Sequence, residues 1–293
     1  MDSPAASRAR PDVTSATRLR PWLGLGRVSN LPTVWSNTLA ACWLGGWSEP
    51  LTLVTLCAAA MLLYVGGMYL NDVCDVEFDA RFRPERPIVA GAVTQRSVAT
   101  AAVAMLACAI VLLVSISWQT ALWGAALAVA ILLYDVTHKR SSAAPFNMGA
   151  CRMLLYLTAA SAGILGITPR VFIFSLALAL YVAGLSYVAR AESGAHSINR
   201  IWPWLLVSAP LLCAFALQSS ASTCIRALPL LICLGIAALL IRRNRVGAAV
   251  GIFLAAIVFV DLLAVGTTSV TMHLVFVALF CATLLSQRYV PAT

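Results

Sequence analysis

Ten long apolar stretches alternate with short polar connections along this chain, at about 28 to 47, 51 to 70, 97 to 116, 118 to 135, 146 to 167, 171 to 189, 201 to 218, 224 to 241, 246 to 266 and 269 to 286. Each is near the ~20 residues that an α-helix needs to cross the hydrocarbon core of a bilayer. A membrane β-barrel would show short alternating segments, and these runs of Leu, Ala and Val do not alternate. Because every backbone N–H and C=O must be satisfied inside lipid, a helical bundle remains. The pattern predicts an all-α, polytopic membrane bundle of nine or ten transmembrane helices. The count stays open because only Gly266-Thr267-Thr268-Ser269 separates the last two runs, which form either two spans or one span and a partial helix.

Composition agrees. Of 293 residues, 61% are hydrophobic and 11% charged, against roughly 25% charged in a soluble domain. The nine cysteines are scattered singly without metal-binding spacing and read as small core hydrophobes. Residues 1–26 are rich in Arg, Ser, Ala and Pro with no apolar core, which excludes a secretory signal peptide. They read as a disordered basic tail in the cytoplasm, followed by one transmembrane domain over 27–288.

The net charge of +9 points to topology rather than to nucleic acid, since no basic stripe interleaves with aromatic residues along a soluble face. Basic residues concentrate in the tail and in alternate connections, at Arg81, Arg83, Arg86 and Arg96, at Lys139 and Arg140, at Arg190 and Arg200, and at Arg242, Arg243 and Arg245. The intervening connections hold only Arg170 and Arg226. Lys and Arg are retained on the cytoplasmic side, so the N-terminus and the long loops are expected there.

The acidic residues are uneven too. Asp72, Asp75, Glu77, Asp79 and Glu85 crowd into the connection after the second apolar run. If the helix continues through 71–79, Asn71, Asp72, Asp75 and Asp79 share an arc of roughly 100° and Glu77 faces away. Oxygen-bearing side chains converging at a membrane mouth suit Mg²⁺, which typically takes one or two carboxylates and shares its other positions with water and phosphate oxygens. A diphosphate substrate follows. Arg81, Arg83 and Arg86 stand beside the carboxylates, and guanidinium binds phosphate oxygens in a planar, bidentate way.

At these residues the chain resembles the UbiA superfamily of intramembrane prenyltransferases. Asn71-Asp72-Val73-Cys74-Asp75-Val76-Glu77-Phe78-Asp79 matches its first aspartate-rich motif, NDxxDxxxD, and Arg86-Pro87-Ile88-Val89-Ala90-Gly91 its Arg-Pro-x-x-x-Gly tail. Tyr134 with Lys139 and Arg140 resembles its Tyr-x-x-x-Lys-Arg element, and Arg27, Asn30, Pro32 and Asn37 resemble its polar first helix. The runs from Ser29 to Asn37 and from Leu133 to Asp135 look most like the branch encoded in bacterial ebo gene clusters, which implies a bacterial inner membrane. The resemblance implies Mg²⁺-dependent transfer of a prenyl group from an isoprenoid diphosphate to an aromatic or other lipophilic acceptor. It gives the metal to Asp72, Asp75 and Asp79, further catalytic roles to Lys139 and Glu192, and substrate contacts to Asn30, Asn37, Asn71, Arg83, Arg86, Tyr134, Arg140, Arg152 and His196.

There is also a departure. Members carry a second Asp-rich motif, roughly DxxxD, after the sixth span, and residues 186–196 here offer only Glu192 as a carboxylate, with His196 nearby. Either those two substitute, or the reaction has changed or been lost, leaving a protein that binds or helps transport a prenylated or aromatic metabolite. Two ionisable residues inside the runs complete the expectations, because such residues mark function by default. Arg152, near the cytoplasmic end of the fifth run, is expected to meet the diphosphate or Asp135. Asp261 is expected to pair with His273. Tyr64, Tyr69, Tyr156, Tyr181 and Tyr187 are candidates for shielding an allylic cation with aromatic faces.

Overall fold

A computed structural model describes residues 15–47, 49–139, 141–192, 201–218 and 220–290, leaving aside the side chains of 15–18, 191 and 192. Every regular element among them is a helix. In order these are α1 (Ser15–Leu25), a 3₁₀ turn (Val28–Asn30), α2 (Leu31–Leu44), α3 (Pro50–Cys74), α4 (Val76–Phe82), α5 (Gln95–Ile116), α6 (Trp118–Thr137), α7 (Ala144–Ala160), α8 (Pro169–Glu192), α9 (Trp202–Gln218), α10 (Ala221–Arg242), α11 (Val246–Val265) and α12 (Val270–Gln287).

Each of the ten apolar runs forms a helix. Local sequence sets several ends. Proline, whose missing N–H costs nothing in the first turn, opens α2, α3 and α7. Thr94, Ser117 and Ser220 cap α5, α6 and α10 by accepting from the N–H three residues on. The last two runs are separate helices because Gly266, at φ 66°, ends α11 in the left-handed region. Seven helices are long and apolar enough to cross a membrane, namely α3, α5, α6, α8, α10, α11 and α12. The others are shorter, with 14 residues in α2 and 17 in each of α7 and α9.

The expectation of a disordered tail over residues 1–26 fails in its second half. Residues 15–25 form α1, whose Leu25 is buried and whose Trp22 ring lies 5.5 Å from that of Tyr69, while the Tyr69 hydroxyl donates to the Trp22 carbonyl. Residues 1–14 lie outside the description.

The bundle is built around α11, which is buried without interruption from Ala255 to Val265. Helix α2 packs against α3, α7, α11 and α12, and α8 lies between α7 and α9. Two glycines permit this close approach. A methyl group on Gly149 would stand 2.3 Å from the Ala179 carbonyl oxygen, and one on Gly184 would stand 2.7 Å from that of Pro203. Small residues at such contacts are how helices gain van der Waals packing where no hydrophobic force drives them together. Outward faces carry exposed Val103, Val111, Leu228, Leu239 and Val277, the reverse of a soluble bundle and the arrangement lipid requires.

Candidate functional site

Helices α3, α6, α7, α8 and α11, together with the segment before α2 and the connection after α4, enclose a cavity of about 830 Å³. Its mouth is polar, with Arg27, Arg83, Glu85, Arg86, Tyr134, Asp135 and Arg190 in the wall. Its depth is apolar and includes Ala60, Leu63, Leu127, Leu155, Leu254 and Ile257.

The acidic cluster stands next to the mouth, where Asp72 lies against Arg27 and Arg86 of the cavity wall. Helix α3 ends at Cys74 and α4 begins at Val76, so the expected single helix over 71–79 is interrupted at Asp75. The hydrogen-bond ladder continues across the interruption, from the Asp75 N–H to the Asn71 carbonyl and from the Asp79 N–H to the Asp75 carbonyl. Helical spacing is therefore kept. Asn71, Asp72 and Asp79 are buried, Asp75 is half-buried and Glu77 is exposed.

Asp72 and Asp75 pair with cations rather than with one another. Asp72 lies 3.5 Å from Arg27 and 3.8 Å from Arg86. Asp75 meets Lys139 at 2.6 Å and His138 at 3.5 Å, and the Lys139 ammonium also lies over the Phe78 ring. Burial alone would raise the Asp75 carboxyl, but hydrogen bonds from His138 and Lys139 outweigh it and hold the group below its ordinary value. Burial likewise works against the His138 imidazolium, and the Asp75 carboxylate more than offsets this and raises its pKa. Burial pushes the Asp79 carboxyl up against the pull of Arg86.

The expected convergence of four oxygen ligands is thus corrected. Among the described residues no group of three His, Cys, Asp or Glu side chains stands ready to hold a metal ion. Asn71 turns away and donates to Asp135 at 3.2 Å. The donor chemistry nevertheless fits Mg²⁺ shared with a substrate. The groups are hard oxygens beside three arginines, and Asp72 Oδ2 is buried and accepts no hydrogen bond from the described residues.

Other expectations change with the packing. Arg152 is mid-helix in α7, not near its end, and its partners are the Asn37 oxygen at 2.7 Å and the Thr33 hydroxyl at 3.2 Å rather than Asp135. Asn37 is buried behind the cavity wall, where its amide also donates to Asp261. Asp261 takes its second hydrogen bond from Ser36, not from His273, whose ring contacts the Ser269 carbonyl in its own helix. The pairing fails because α2 covers this stretch of α11. Asn30 lines the cavity and donates to the Tyr64 hydroxyl at 3.2 Å.

Of the five tyrosines expected to face an allylic cation, only Tyr64 is in the cavity wall. Tyr156 and Tyr181 are fully buried, with the Tyr181 hydroxyl donating to the Phe253 carbonyl, and Tyr187 packs on Trp202. Tyr134 does line the mouth, stacked on His138 at 4.9 Å. Four residues, not three, separate Tyr134 from Lys139, so the match to Tyr-x-x-x-Lys-Arg is one residue too long. The adjacent His138 and Lys139 both engage Asp75. Arg140, His196 and the side chain of Glu192 lie outside the described residues.

Arg27 and Asp135 were not expected among the principal site residues. Arg27, in the left-handed region at φ 42°, lines the cavity and reaches Asp72. Its signal in the sequence is its likeness, with Asn30, Pro32 and Asn37, to the polar first helix of the family.

The helical architecture defines an integral membrane protein with a polar-mouthed, apolar cavity. The chain matches the family model described as UbiA prenyltransferase family over residues 29–246, and it belongs to that family. It is 30% identical over 155 residues to a 4-hydroxybenzoate octaprenyltransferase of Acidovorax ebreus, covering 47% of this chain and 52% of the relative. It is 31% identical over 123 residues to a digeranylgeranylglyceryl phosphate synthase of Natronomonas pharaonis, covering 42% and 44%. A synthase of the same name from Ignicoccus hospitalis is 30% identical over 196 residues, covering 62% and 64%. The chain therefore spans 44% to 64% of the length of these relatives. Solved structures share the fold. One is from work on digeranylgeranylglyceryl phosphate synthase in membranes, with a TM-score of 0.61 at 20% identity over 85% of this chain and 97% of that one. Another is the apo form of a UbiA homologue from Aeropyrum pernix K1, with a TM-score of 0.64 at 15% identity over 81% and 96%.

Proposed function

We propose that this protein transfers a prenyl group from an isoprenoid diphosphate to a lipophilic acceptor within the membrane, with Mg²⁺. The observation that carries the reading is the set of Arg27, Arg83 and Arg86 at the mouth of a cavity whose depth is apolar, with Asp72 against Arg27 and Arg86 behind that wall. The mouth suits a diphosphate and the depth suits a polyprenyl chain.

Asp72, Asp75 and Asp79 would hold Mg²⁺, which supplies Lewis-acid stabilisation of the charge developing on the leaving diphosphate. Arg83 and Arg86, in the cavity wall, bind its free oxygens. Arg27 lies within reach of both Asp72 and the cavity and positions the carboxylate while balancing its charge. Lys139, paired with Asp75 at 2.6 Å, would balance the charge of that carboxylate and of the diphosphate beside it. The Tyr64 and Tyr134 rings present aromatic faces to the allylic end of the donor, and the apolar walls at Leu63, Leu127 and Leu155 exclude water that would intercept it.

A second reading, a binder or transport participant for a prenylated or aromatic metabolite, is favoured by one observation. Where relatives would place a second acidic motif, the α8 wall of the cavity presents Ser186, Ala189 and Arg190, and Arg190 donates to the backbone carbonyls of His138 and Ser141. Incubation of purified protein with radiolabelled prenyl diphosphate and an acceptor panel separates the two, since only an enzyme moves label into acceptor.

The asymmetry of Arg and Lys supports a cytoplasmic N-terminus and a cytoplasmic connection around Arg83, and the likeness to the ebo-cluster branch supports a bacterial inner membrane. A cysteine introduced near Arg83 is then protected from an impermeant thiol reagent applied to intact cells and labelled after permeabilisation. Labelling from outside reverses the orientation. The Ser29–Asn37 and Leu133–Asp135 runs motivate the further assignment to the ebo-cluster branch. Inspection of the neighbouring genes tests it, and absence of such a cluster removes it.

A further inference from the structure

Away from the cavity, two arginines meet with no acid between them. Arg170 and Arg226 are the two basic residues that fall in the connections otherwise free of charge of that sign. Arg170 is in the first turn of α8, and Arg190 of the cavity mouth is in its last, 20 positions further along. At 1.5 Å per residue that is about 30 Å, the thickness of the hydrocarbon core. Arg170 therefore stands at the membrane face opposite the mouth.

Both side chains converge on the end of α11. Arg170 donates to the Ala264 carbonyl at 3.3 Å. Arg226 donates to the Thr267 carbonyl at 3.4 Å, and to the Gln218 oxygen and the Thr223 hydroxyl at 3.2 Å each. A methyl group on Gly266 would stand 2.7 Å from the Arg170 guanidinium and 2.7 Å from that same Gln218 oxygen, so the two arginines meet over Gly266. Satisfying the last carbonyls of α11 explains only part of this. A helix C-terminus carries roughly half a negative charge, against two positive ones, and neither arginine forms an ion pair with a described acidic side chain. Arg226 is 3% exposed, yet its Nε is buried with no hydrogen-bond partner among the described residues. A buried charged donor left unpaired is costly. Arg170 is exposed and directs one of a guanidinium's five N–H donors to Ala264.

The next helix adds to the same place. Helix α12 begins at Val270, three residues after the Thr267 carbonyl that Arg226 holds, and its N-cap residue Ser269 gives it no side-chain hydrogen bond. A helix start left open in this way favours an anion.

We propose that Arg170, Arg226 and the start of α12 bind the phosphate of a membrane phospholipid, in the leaflet opposite the cavity mouth. Guanidinium groups match phosphate oxygens in a bidentate way. A lipid is the source because the site lies at headgroup depth and the exposed side chains beside it, Phe172 on α8 and Ile225 and Leu228 on α10, are apolar and suit acyl chains. The site is independent of the prenyltransferase reading.

The test is native mass spectrometry and thermal unfolding of the full chain in detergent, with phosphatidylglycerol, the diacylglycerol of the same chains and inorganic phosphate as probes. Phosphatidylglycerol is expected to bind as a discrete adduct and raise the melting temperature, and the other two at equal concentration to do neither. Arg170→Gln weakens phosphatidylglycerol by about 10- to 100-fold, the range of a lost hydrogen bond to a charged group. Ser269→Asp places a carboxylate at the cap of α12, where it both satisfies the helix start and occupies the anion's place, so the melting temperature rises without lipid and phosphatidylglycerol adds nothing further. That variant keeps the test open if Arg226→Gln does not fold. Arg243→Gln, past the other end of α10, leaves phosphatidylglycerol binding unchanged. The proposal is overturned if diacylglycerol or inorganic phosphate binds as well as phosphatidylglycerol, if Arg170→Gln and Ser269→Asp bind the lipid as the unaltered protein does, or if Arg243→Gln weakens it equally.

Discussion

Replacing Asp75 by Asn abolishes Mg²⁺-dependent binding of a prenyl diphosphate, whereas Glu77→Gln leaves it largely intact. The two acids stand two positions apart at the α3–α4 junction, and a merely charged surface would treat them alike, since exposed charge pairs contribute only ~0 to 1 kcal/mol each. The geometry separates them. Asp75 is half-buried, held by Lys139 and His138, and aligned with Asn71 and Asp79 through the hydrogen-bond ladder, while Glu77 is exposed on the other side. Asp→Asn keeps the shape and removes the charge a hard cation requires. Even partners that only orient a metal ligand cost ~10- to 100-fold in affinity when lost, so loss of a ligand itself is expected at or beyond the upper end. Calorimetry in detergent with and without Mg²⁺ measures both variants. Equal, small effects at Asp75 and Glu77 contradict a metal site.

The second large effect falls on stability, far from that mouth. Asp261→Ala destabilises the bundle by about 3 kcal/mol, the lower end of what breaking a buried charge pair costs, because the Asn37 amide intervenes. Asp261 accepts hydrogen bonds from Ser36 and Asn37, and Asn37 in turn accepts from Arg152. Removing the carboxylate strands two buried donors and leaves the Arg152 charge uncompensated. The coupling has a signature. Arg152→Met in the Asp261→Ala background costs less than Arg152→Met alone, a non-additivity that a double-mutant cycle reads directly. Thermal unfolding in detergent supplies the values. Additive effects, or a loss near zero for Asp261→Ala, remove the network from the account.

Why some of this was readable in the sequence and some was not follows from range. Apolar runs specify helices because membrane helices satisfy their own backbone, so each of the ten segments contains a helix, the largest difference being at the fifth run, whose helix ends at Ala160. The acidic face was legible for the same local reason, as the spacing of Asn71, Asp72, Asp75 and Asp79 is a property of one helix, and it survived even the interruption at Asp75. Partner choice was not legible. Arg27 with Asp72, Asn71 with Asp135, and Asn37 with Asp261 join residues 45, 64 and 224 positions apart, and which helices become neighbours is decided by packing at small residues such as Gly149 and Gly184. Arg152 was singled out correctly as a polar intrusion, but its partners required knowing that α2 lies against both α7 and α11. Helix α1 was hidden by composition, since its arginines and Pro21 outweighed the Trp22 and Leu25 that dock it.

Transfer of label tests the proposed activity most directly. Purified protein in liposomes, given radiolabelled prenyl diphosphate, Mg²⁺ and a panel of carboxylate- and phosphate-bearing lipophilic acceptors, is expected to move label into at least one acceptor. That transfer should stop when Mg²⁺ is chelated, fail in Asp75→Asn and persist in Glu77→Gln. Diphosphate binding that depends on Asp75 without any transfer across the panel would contradict the enzyme and leave the binder reading in its place.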